Sequence, residues 1–186
     1  MINIRPFELS DIESVKQLSD NLIGQGYYKV DELKGIYKKS ILNGLNCSFV
    51  LEINGKIVGM RFTYPPGNWS EGKGKGLTEN LWPRKKERTG YFQSLFISPE
   101  FTNQGFGKKI SLESINVLKK LKAEGIVCHS WKESPGDSSR KYLKALGFKK
   151  IAVHEKYWEF VDYICPLGEV PCSCTAEEMY LDLTEK

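Results

Sequence analysis

The chain of 186 residues is 40% hydrophobic and 27% charged, with a formal net charge of +4, and these values are ordinary for a globular protein. We therefore expect one domain over residues 1–186, and the mild charge, without a basic stripe along a predicted helix, argues against nucleic acid as a partner. No segment is apolar for long enough to cross a membrane and no signal peptide opens the chain, so the expected location is cytoplasmic.

The first third of the chain is predicted to form a strand, two helices and a hairpin. Residues 2–5 alternate as a short strand does, and the helical spacing of apolar residues predicts helices over 10–18 and 31–42. Two β-rich runs then flank the dipeptide Asn54-Gly55, which is the strongest short-range signal for a hairpin. The two runs should therefore pair as antiparallel strands.

Residues 68–88 form a long segment, rich in glycine and lysine, that shows no helix or strand pattern. Loops of this length are uncommon unless they are functional or disordered. Two interpretations stay open: the basic side chains contact an anionic group of a ligand or an acidic acceptor, or they are simply solvated. The basic residues of the segment are Lys73, Lys75, Arg84, Lys85, Lys86 and Arg88.

The segment 91–124 predicts an anion-binding site. It begins with a β-rich run, continues through a glycine-bearing turn over 102–107, and ends in an amphipathic helix that Gly125 is expected to stop. Backbone N–H groups at a helix N-terminus lack partners, and the helix dipole adds positive charge there, so a pyrophosphate can bind where glycine leaves the backbone accessible. The residues expected at this site are Gly105, Gly107, Lys108 and Lys109.

The last third of the chain predicts three more strands and one more helix. A strand over 126–131 is followed by a helix over 138–146 that Gly147 closes. A long alternating strand over 150–161 and a final strand over 178–183 complete the pattern. The order of elements predicts a mixed sheet flanked by helices.

The segment 91–148 resembles the GNAT superfamily of acetyl-CoA-dependent N-acetyltransferases. That family carries the pattern Gln/Arg-x-x-Gly-x-Gly/Ala after its fourth strand, and here the turn reads Thr102-Asn103-Gln104-Gly105-Phe106-Gly107. Both glycines match, while Thr102 stands in place of Gln or Arg. The run from Leu95 to Pro99 and the helix-Gly-Phe run that ends at Phe148 match as well. The resemblance implies a GNAT-type α/β fold, with a mixed, mostly antiparallel sheet whose fourth and fifth strands splay apart and which helices flank.

The resemblance also implies acetyl-CoA as the cosubstrate. In GNAT proteins the turn after the fourth strand cradles the CoA pyrophosphate, and the main chain of that strand binds the pantetheine arm in the opening between the splayed strands. The cofactor-binding residues that follow are Leu95, Phe96, Ile97, Asn103, Gln104, Gly105, Phe106, Gly107 and Lys108.

Tyr142 is the candidate for the catalytic acid. Acetyl transfer needs a neutral amine, a polarised thioester carbonyl and a proton for the departing thiolate. Many GNAT enzymes supply that proton from a tyrosine four residues before the Gly of the Gly-Phe pair, where this chain has Leu143. Either the helix packs one residue out of register with the family, so that Tyr142 is the acid, or the chain has no tyrosine acid.

The base that takes the proton from the amine is a second open question. Tyr91 and Gln93 stand where GNAT relatives often carry Glu, and neither is a carboxylate. Glu133, just beyond the predicted fifth strand, is the nearest carboxylate candidate, acting directly or through water. His129 has chemistry suited to the task, but a lone histidine on a strand is more often a packed residue, and the same holds for His154.

Three of the five cysteines lie close together near the C-terminus, at Cys165, Cys172 and Cys174. An odd number without a secretion signal argues against a disulfide framework. They could be thiols without a shared role, zinc ligands, or part of the acceptor-pocket wall. Because a structural zinc site needs four ligands and no C-x2-C pair is present, no metal ligand is assigned.

The resemblance implies an enzyme that transfers an acetyl group from acetyl-CoA to an amine of a small molecule or protein by direct attack. A non-catalytic acyl-CoA-binding sensor is an alternative, because residues 91, 93 and 143 depart from the family pattern. A zinc-stabilised interaction domain is a further alternative. The long terminal strands could also pair across a homodimer.

Overall fold

The computed structural model describes residues 1–69, 76–161 and 167–185, and within these ranges no helix is long and apolar enough to span a membrane. The described chain forms strands and α-helices joined by turns and short 3-10 segments. The strands are β1 (Ile2–Pro6), β2 (Ile41–Leu42), β3 (Leu45–Asn46), β4 (Phe49–Ile53), β5 (Lys56–Tyr64), β6 (Thr89–Ile97), β7 (Gly125–Trp131), β8 (Lys149–His154) and β9 (Ala176–Asp182). The helices are α1 (Ile12–Leu22), α2 (Val30–Lys39), α3 (Phe106–Lys120) and α4 (Ser138–Ala145).

Seven strands form one sheet in the order β1-β4-β5-β6-β7-β9-β8, and β2 and β3 form a separate two-stranded hairpin. All neighbours in the large sheet are antiparallel except β6 and β7, which are parallel. The predicted hairpin around Asn54 and Gly55 joins β4 to β5, and both residues adopt the positive φ of a tight hairpin turn. The predicted fold class, a mixed and mostly antiparallel sheet flanked by helices, is confirmed.

Helices cover both faces of the large sheet, and alternate residues along each strand point to opposite faces. On one side, α1 and α2 share a buried core with Tyr91 of β6 and Val127 of β7. On the other side, α3 and α4 share a buried core with the next residues, Phe92 and Cys128. We refer to these two sides as the α1/α2 face and the α3/α4 face.

The predicted strand over 150–161 is wrong in its second half. β8 ends at His154, Lys156 adopts a positive φ of 51°, and the chain turns back toward the sheet. The backbone N–H of Tyr157 then donates to the carbonyl of Cys174 at 3.0 Å, and the tyrosine side chain is buried. The run of aromatic residues after His154 therefore reflects a packed turn rather than a continuing strand.

The expectation that Gly125 stops α3 is also wrong. The helix ends at Lys120, and Lys122, two residues later, adopts a positive φ of 60°. Gly125 is instead the first residue of β7. Glycine is needed there for a packing reason, because a Cβ at this position would lie 2.0 Å from the hydroxyl oxygen of Tyr180. That hydroxyl pairs with Thr89 Oγ1 at 2.7 Å, so the phenol ring is fixed between β6, β7 and β9.

Gly125→Ala should destabilise the protein by about 2–4 kcal/mol, because the rigid Tyr180 ring must move and lose its hydrogen bond with Thr89. Urea unfolding measures the change. Gly35→Ala is the matched control, since Gly35 lies inside α2 and a Cβ there meets no atom within 4 Å. The control should be as stable as the wild type or more stable by up to about 1 kcal/mol. Equal stability of the two variants would contradict this account of Gly125.

Candidate active site

The turn before α3 presents a helix N-terminus that no side chain caps. Gly105 is the N-cap residue and adopts a left-handed φ of 77°, and the first turn of α3 contains no acidic residue. The polar side chains of the turn bond elsewhere: Thr102 Oγ1 donates to the Pro99 carbonyl at 2.8 Å, and Gln104 Nε2 donates to the Glu100 carbonyl at 3.0 Å. The backbone N–H groups at this end of α3 are thus available to an anion.

The structure places this turn beside the outer half of β6. A Cβ at Gly107 would lie 3.2 Å from Leu95 Cδ2, so the missing side chain lets the first turn of α3 pack closely against the strand. Residues 103–108 and 95–97, which sequence reasoning assigned to the cofactor, are therefore brought together at one end of the sheet.

β6 and β7 part in the middle of the sheet. They pair only up to Phe92 and Cys128; beyond these residues β6 stays with β5, and β7 stays with β9. The pairing of β6 with β5 shifts register between Ser94 and Phe92, so Gln93 is an extra, bulged residue at the point of parting. The opening exposes backbone N–H and C=O groups of both strands to an extended ligand.

Tyr142 lies on the α3/α4 face, next to the point where the strands part. Its hydroxyl hydrogen-bonds with the guanidinium of Arg61 and lies 2.9 Å from Ser111 Oγ of α3. The Arg61 guanidinium carbon lies 4.2 Å from the ring centroid of Phe92, the last residue of β6 that pairs with β7. Burial raises the pKa of Tyr142, while the charge of Arg61 and the hydrogen bond with Ser111 act in the opposite direction.

A second polar cluster lies on the α1/α2 face of β7. His129 is the first residue of β7 beyond the paired segment, and its Nδ1 lies 3.3 Å from the Tyr91 hydroxyl and 3.2 Å from the Tyr157 hydroxyl. Its Nε2 lies 3.9 Å from Glu178 Oε2, which is too far for a hydrogen bond. His154 Nε2 pairs with the same Glu178 oxygen at 2.7 Å. The His129 and Glu178 side chains are only 3% and 0% exposed.

The segment before β6 closes over Glu178. The Thr78 backbone N–H donates to both carboxylate oxygens at 3.2 and 3.0 Å, and Trp82 Nε1 donates to Oε1 at 2.5 Å. The ligand atoms of His129, His154 and Glu178 lie within 4.8 Å of one another, a spacing at which such groups could hold a metal ion. Because the carboxylate is already bonded to Thr78, Trp82 and His154, the geometry favours a hydrogen-bonded network over a metal site.

The sequence pattern singles out His129 and His154 separately and places Glu178 only in a strand. One signal could have linked Glu178 to the two histidines. Glu178 alternates with the apolar, buried residues Ala176 and Tyr180 along β9, so its charged side chain points to the same buried face. Because the neighbouring residue 177 is also glutamate, the sequence does not show which of the two side chains faces the core. The sheet order β7-β9-β8, which brings the three residues together, was not predictable from local pattern.

The sequence model of the Acetyltransferase (GNAT) family matches residues 16–148, which is most of the chain. The chain belongs to the GNAT acetyltransferase family. The predicted family, the acetyltransferase activity and acetyl-CoA as the cosubstrate are thereby confirmed. A comparison with curated protein sequences gives no match.

Solved GNAT structures share the fold at low sequence identity. The ribosomal-protein-S18-alanine N-acetyltransferase of Escherichia coli is 14% identical, with a TM-score of 0.69 over 100% of this chain and 96% of that one. An N-acetyltransferase of Staphylococcus aureus is 16% identical, with a TM-score of 0.69 over 99% of each chain. YncA of Salmonella typhimurium, a putative acetyltransferase solved with acetyl-CoA, is 16% identical, with a TM-score of 0.69 over 100% and 95%.

Glu133, the carboxylate that sequence reasoning offered as the base of this GNAT domain, is exposed on the turn after β7. Both of its oxygens accept the backbone N–H of Thr175, at 3.1 and 3.0 Å, just before β9 begins. This contact ties the end of β7 to the start of β9. His129 is buried within the sheet, by contrast, and follows the last paired residue of β7 directly.

Charge in the buried cluster is held on Glu178 and not on His129. Burial lowers the pKa of His129 to about 4, although the charge of Glu178 and a weaker contact with the Gly76 backbone oppose the effect. Burial acts to raise the pKa of Glu178, but hydrogen bonds from Trp82, His154 and Thr78 outweigh it and hold the pKa below its ordinary value. At neutral pH His129 is a neutral ring beside a carboxylate.

Acidification should destabilise this GNAT domain between about pH 6.5 and 4. The pKa of His129 is about 4 in the folded chain and about 6.5 in the unfolded chain. Between these values the unfolded chain binds a proton at His129 and the folded chain does not. Stability is then lost as pH falls, by up to about 1.4 kcal/mol per pH unit. Glu178, whose folded pKa is also depressed, adds a loss of the same sign below its unfolded pKa.

Urea unfolding at several pH values tests this expectation. His129→Gln should show a flatter dependence of unfolding free energy on pH across the interval than the wild type. The groups that face the His129 ring are Glu178, His154, Tyr91 and Tyr157, and all four stay in place in the variant. An unchanged slope would show that His129 is not the buried neutral group described above.

Three basic side chains of the 68–88 segment are paired within the protein. Arg84 bonds Asp182 at 3.0 Å, Lys86 bonds Glu79 at 2.8 Å, and Arg88 bonds Glu124 at 2.8 Å. These ion pairs reduce the positive charge that is available to an anionic ligand. They therefore support the second interpretation, in which the basic side chains of the segment do not contact a ligand. Lys73 and Lys75 lie outside the described residues.

The C-terminal cysteines are only partly described. Cys172 and Cys174 are buried and pack with Trp131 and Trp158. Cys165 lies outside the described residues, so the interpretation of the three as a set stays a prediction.

Proposed function

We propose that this GNAT domain transfers the acetyl group of acetyl-CoA to an amine by direct attack, in the opening between β6 and β7. The observation that carries the proposal is the parting of these strands beyond Phe92 and Cys128. On the β6 side of the opening lies the uncapped turn at Gly105. On the β7 side lies the buried pair His129 and Glu178. Residues 1–186 form one domain in this proposal.

The turn before α3 holds the CoA pyrophosphate through residues 103–108, with the charge of Lys108 beside it. The main chain of β6 at Leu95–Ile97 holds the pantetheine arm, because its edge toward β7 has no strand partner among the described residues. This arrangement directs the thioester to the point of parting. Bound there, acetyl-CoA supplies the activated acyl group.

His129 is a better candidate for the base than Glu133. Its Nδ1 faces β6 through the Tyr91 hydroxyl, and Glu178 lies behind its Nε2. With one proton already on Nε2, Nδ1 accepts the proton of the attacking amine by way of the Tyr91 hydroxyl as the carbon–nitrogen bond forms. The imidazolium is short-lived because the pKa of His129 is about 4, and Glu178 stabilises it until it returns the proton to solvent. Glu133 is exposed and already accepts the Thr175 N–H, so we propose that it holds the loop.

Tyr142 acts as the acid. The amine nitrogen attacks the carbonyl carbon, the carbon–sulfur bond breaks, and the electron pair leaves on sulfur. Tyr142 then donates its hydroxyl proton to the thiolate to give CoA thiol, and solvent reprotonates the phenolate. The contacts of the Tyr142 hydroxyl with Arg61 of β5 and Ser111 of α3 support the alternative in which α4 packs one residue out of register with the family pattern.

The acceptor is an amine of a small molecule or a protein, and the domain works in the cytoplasm. The Escherichia coli neighbour is named for an alanine of a ribosomal protein, which supports including protein N-terminal amines among the acceptors tested. Pairing of the terminal strands across a homodimer is part of the same proposal, because β8 is an edge strand of the sheet.

Release of CoA thiol from acetyl-CoA, measured over a panel of polyamines, amino acids, aminoglycosides and peptides with free N-termini, tests the proposal. We expect at least one amine to raise thiol release above the rate of hydrolysis, with a product heavier by one acetyl group. Binding of CoA without turnover on any amine would favour the non-catalytic sensor.

A further inference from the structure

Arg61 is a buried cation that has no carboxylate partner within residues 1–69, 76–161 and 167–185. It lies in β5, its residue is only 3% exposed, and none of the ion pairs among the described residues involves it. Removing a guanidinium from water costs several kcal/mol unless charge or hydrogen bonds compensate. A methionine of similar length would fill the same space without that cost, so packing alone does not account for arginine at this position.

Two aromatic rings and two hydroxyl groups contact the Arg61 side chain. Its guanidinium carbon lies 4.2 Å from the Phe92 ring centroid and 5.7 Å from the Tyr142 ring centroid. Arg61 Nε donates to Ser111 Oγ at 3.3 Å, and its Nη2 donates to the Tyr142 hydroxyl. Ser111 Oγ and the Tyr142 hydroxyl lie 2.9 Å apart, which closes a triangle of polar groups.

The triangle gives the Tyr142 hydroxyl a fixed orientation and a positive charge beside it. A buried tyrosine that gives up its proton becomes a phenolate, which an apolar environment strongly disfavours. A cation in hydrogen-bonding contact stabilises that phenolate, and the arginine fork fixes its direction as well.

We infer that Arg61 is a positioning residue for acetyl transfer, which holds the Tyr142 hydroxyl and stabilises the phenolate formed when Tyr142 protonates the departing thiolate. The inference rests on the proposed function. The proton moves from Tyr142 oxygen to CoA sulfur as the carbon–sulfur bond breaks, the negative charge passes from sulfur to the phenolate beside Arg61, and no other reactant is needed. Arg61 acts through Tyr142 and does not itself touch the substrate.

A double-mutant cycle of Arg61→Met and Tyr142→Phe tests the inference with the best amine of the panel. Each single variant should lower kcat about 10- to 100-fold and leave the KM for acetyl-CoA within about threefold. The double variant should be no slower than Tyr142→Phe alone, because Arg61 has nothing to act on once the hydroxyl is gone. Arg61→Lys, which retains the charge, should recover part of the loss.

A merely structural Arg61 would lower the melting temperature but leave kcat of the folded protein unchanged, and that result would overturn the inference. Multiplicative losses in the double variant, or full activity of Tyr142→Phe, would overturn it as well. Should Arg61→Met not fold, Ser111→Ala takes its place in the cycle, with an expected loss of about 3- to 10-fold that disappears in the Tyr142→Phe background. Wild-type protein without turnover on any amine would instead reject the proposed function.

Discussion

Gly105→Val should lower the affinity for CoA by at least about 30-fold, or about 2 kcal/mol, in a protein that remains folded. A Cβ at Gly105 meets no atom within 4 Å in the structure, so a larger side chain has room as long as the site is empty. The same side chain would stand between a pyrophosphate and the N–H groups that open α3. Isothermal calorimetry with CoA measures the loss.

The positive φ at Gly105 also costs stability when valine replaces glycine, so the experiment needs a control with the same strain. Gly44, in the turn between β2 and β3, adopts a φ of 75° against 77° at Gly105, and a Cβ at either position meets no atom within 4 Å. Gly44→Val should therefore lose similar stability, about 1–2 kcal/mol, but bind CoA as the wild type does. If Gly105→Val and Gly44→Val bind CoA with equal affinity, the pyrophosphate does not bind at the turn before α3.

His129→Gln should reduce kcat by about 100- to 10,000-fold while CoA affinity stays within about twofold of wild type. Glutamine can still form hydrogen bonds with the hydroxyls of Tyr91 and Tyr157, but its amide is far too weak a base to accept the proton of the amine even transiently. Steady-state rates at saturating acetyl-CoA, with calorimetry for CoA, separate the two effects. Glu178→Gln should produce a smaller loss, about 10-fold, because the ring keeps its place but loses the charge behind it.

Comparison with Glu133→Gln decides between the two candidate bases. Glu133 is exposed and bonded to the Thr175 N–H, so its amide variant should retain kcat within about threefold. A larger loss in Glu133→Gln than in His129→Gln would contradict the assignment and return the role of base to the carboxylate.

Local sequence signals were sufficient for the turn and the hairpin. Gly105 and Gly107 sit between a strand and an amphipathic helix, and Asn54-Gly55 sits between two β-rich runs, so the decisive residues in each case are neighbours in sequence. The family resemblance added the mostly antiparallel sheet, the splaying of its fourth and fifth strands, and the identity of the cosubstrate. These features were predictable because each depends on short-range geometry or on a matched motif.

The cluster around His129 and the cluster around Arg61 depend on tertiary contacts, so local sequence signals could not predict them. His129 and Glu178 are 49 positions apart in number, and only the adjacency of β7 and β9 brings them together. Arg61 reaches Tyr142 because β5 and α4 both border the parting of β6 from β7. The end of β8 at His154 was missed because aromatic residues continue the pattern of a strand through a turn.

Titration of CoA into the wild-type protein tests the central claim most directly. If the turn at Gly105 and the opening between β6 and β7 bind the cosubstrate, calorimetry should show one site per chain with a dissociation constant at or below about 100 µM. No measurable binding at millimolar CoA would contradict the assignment of this site.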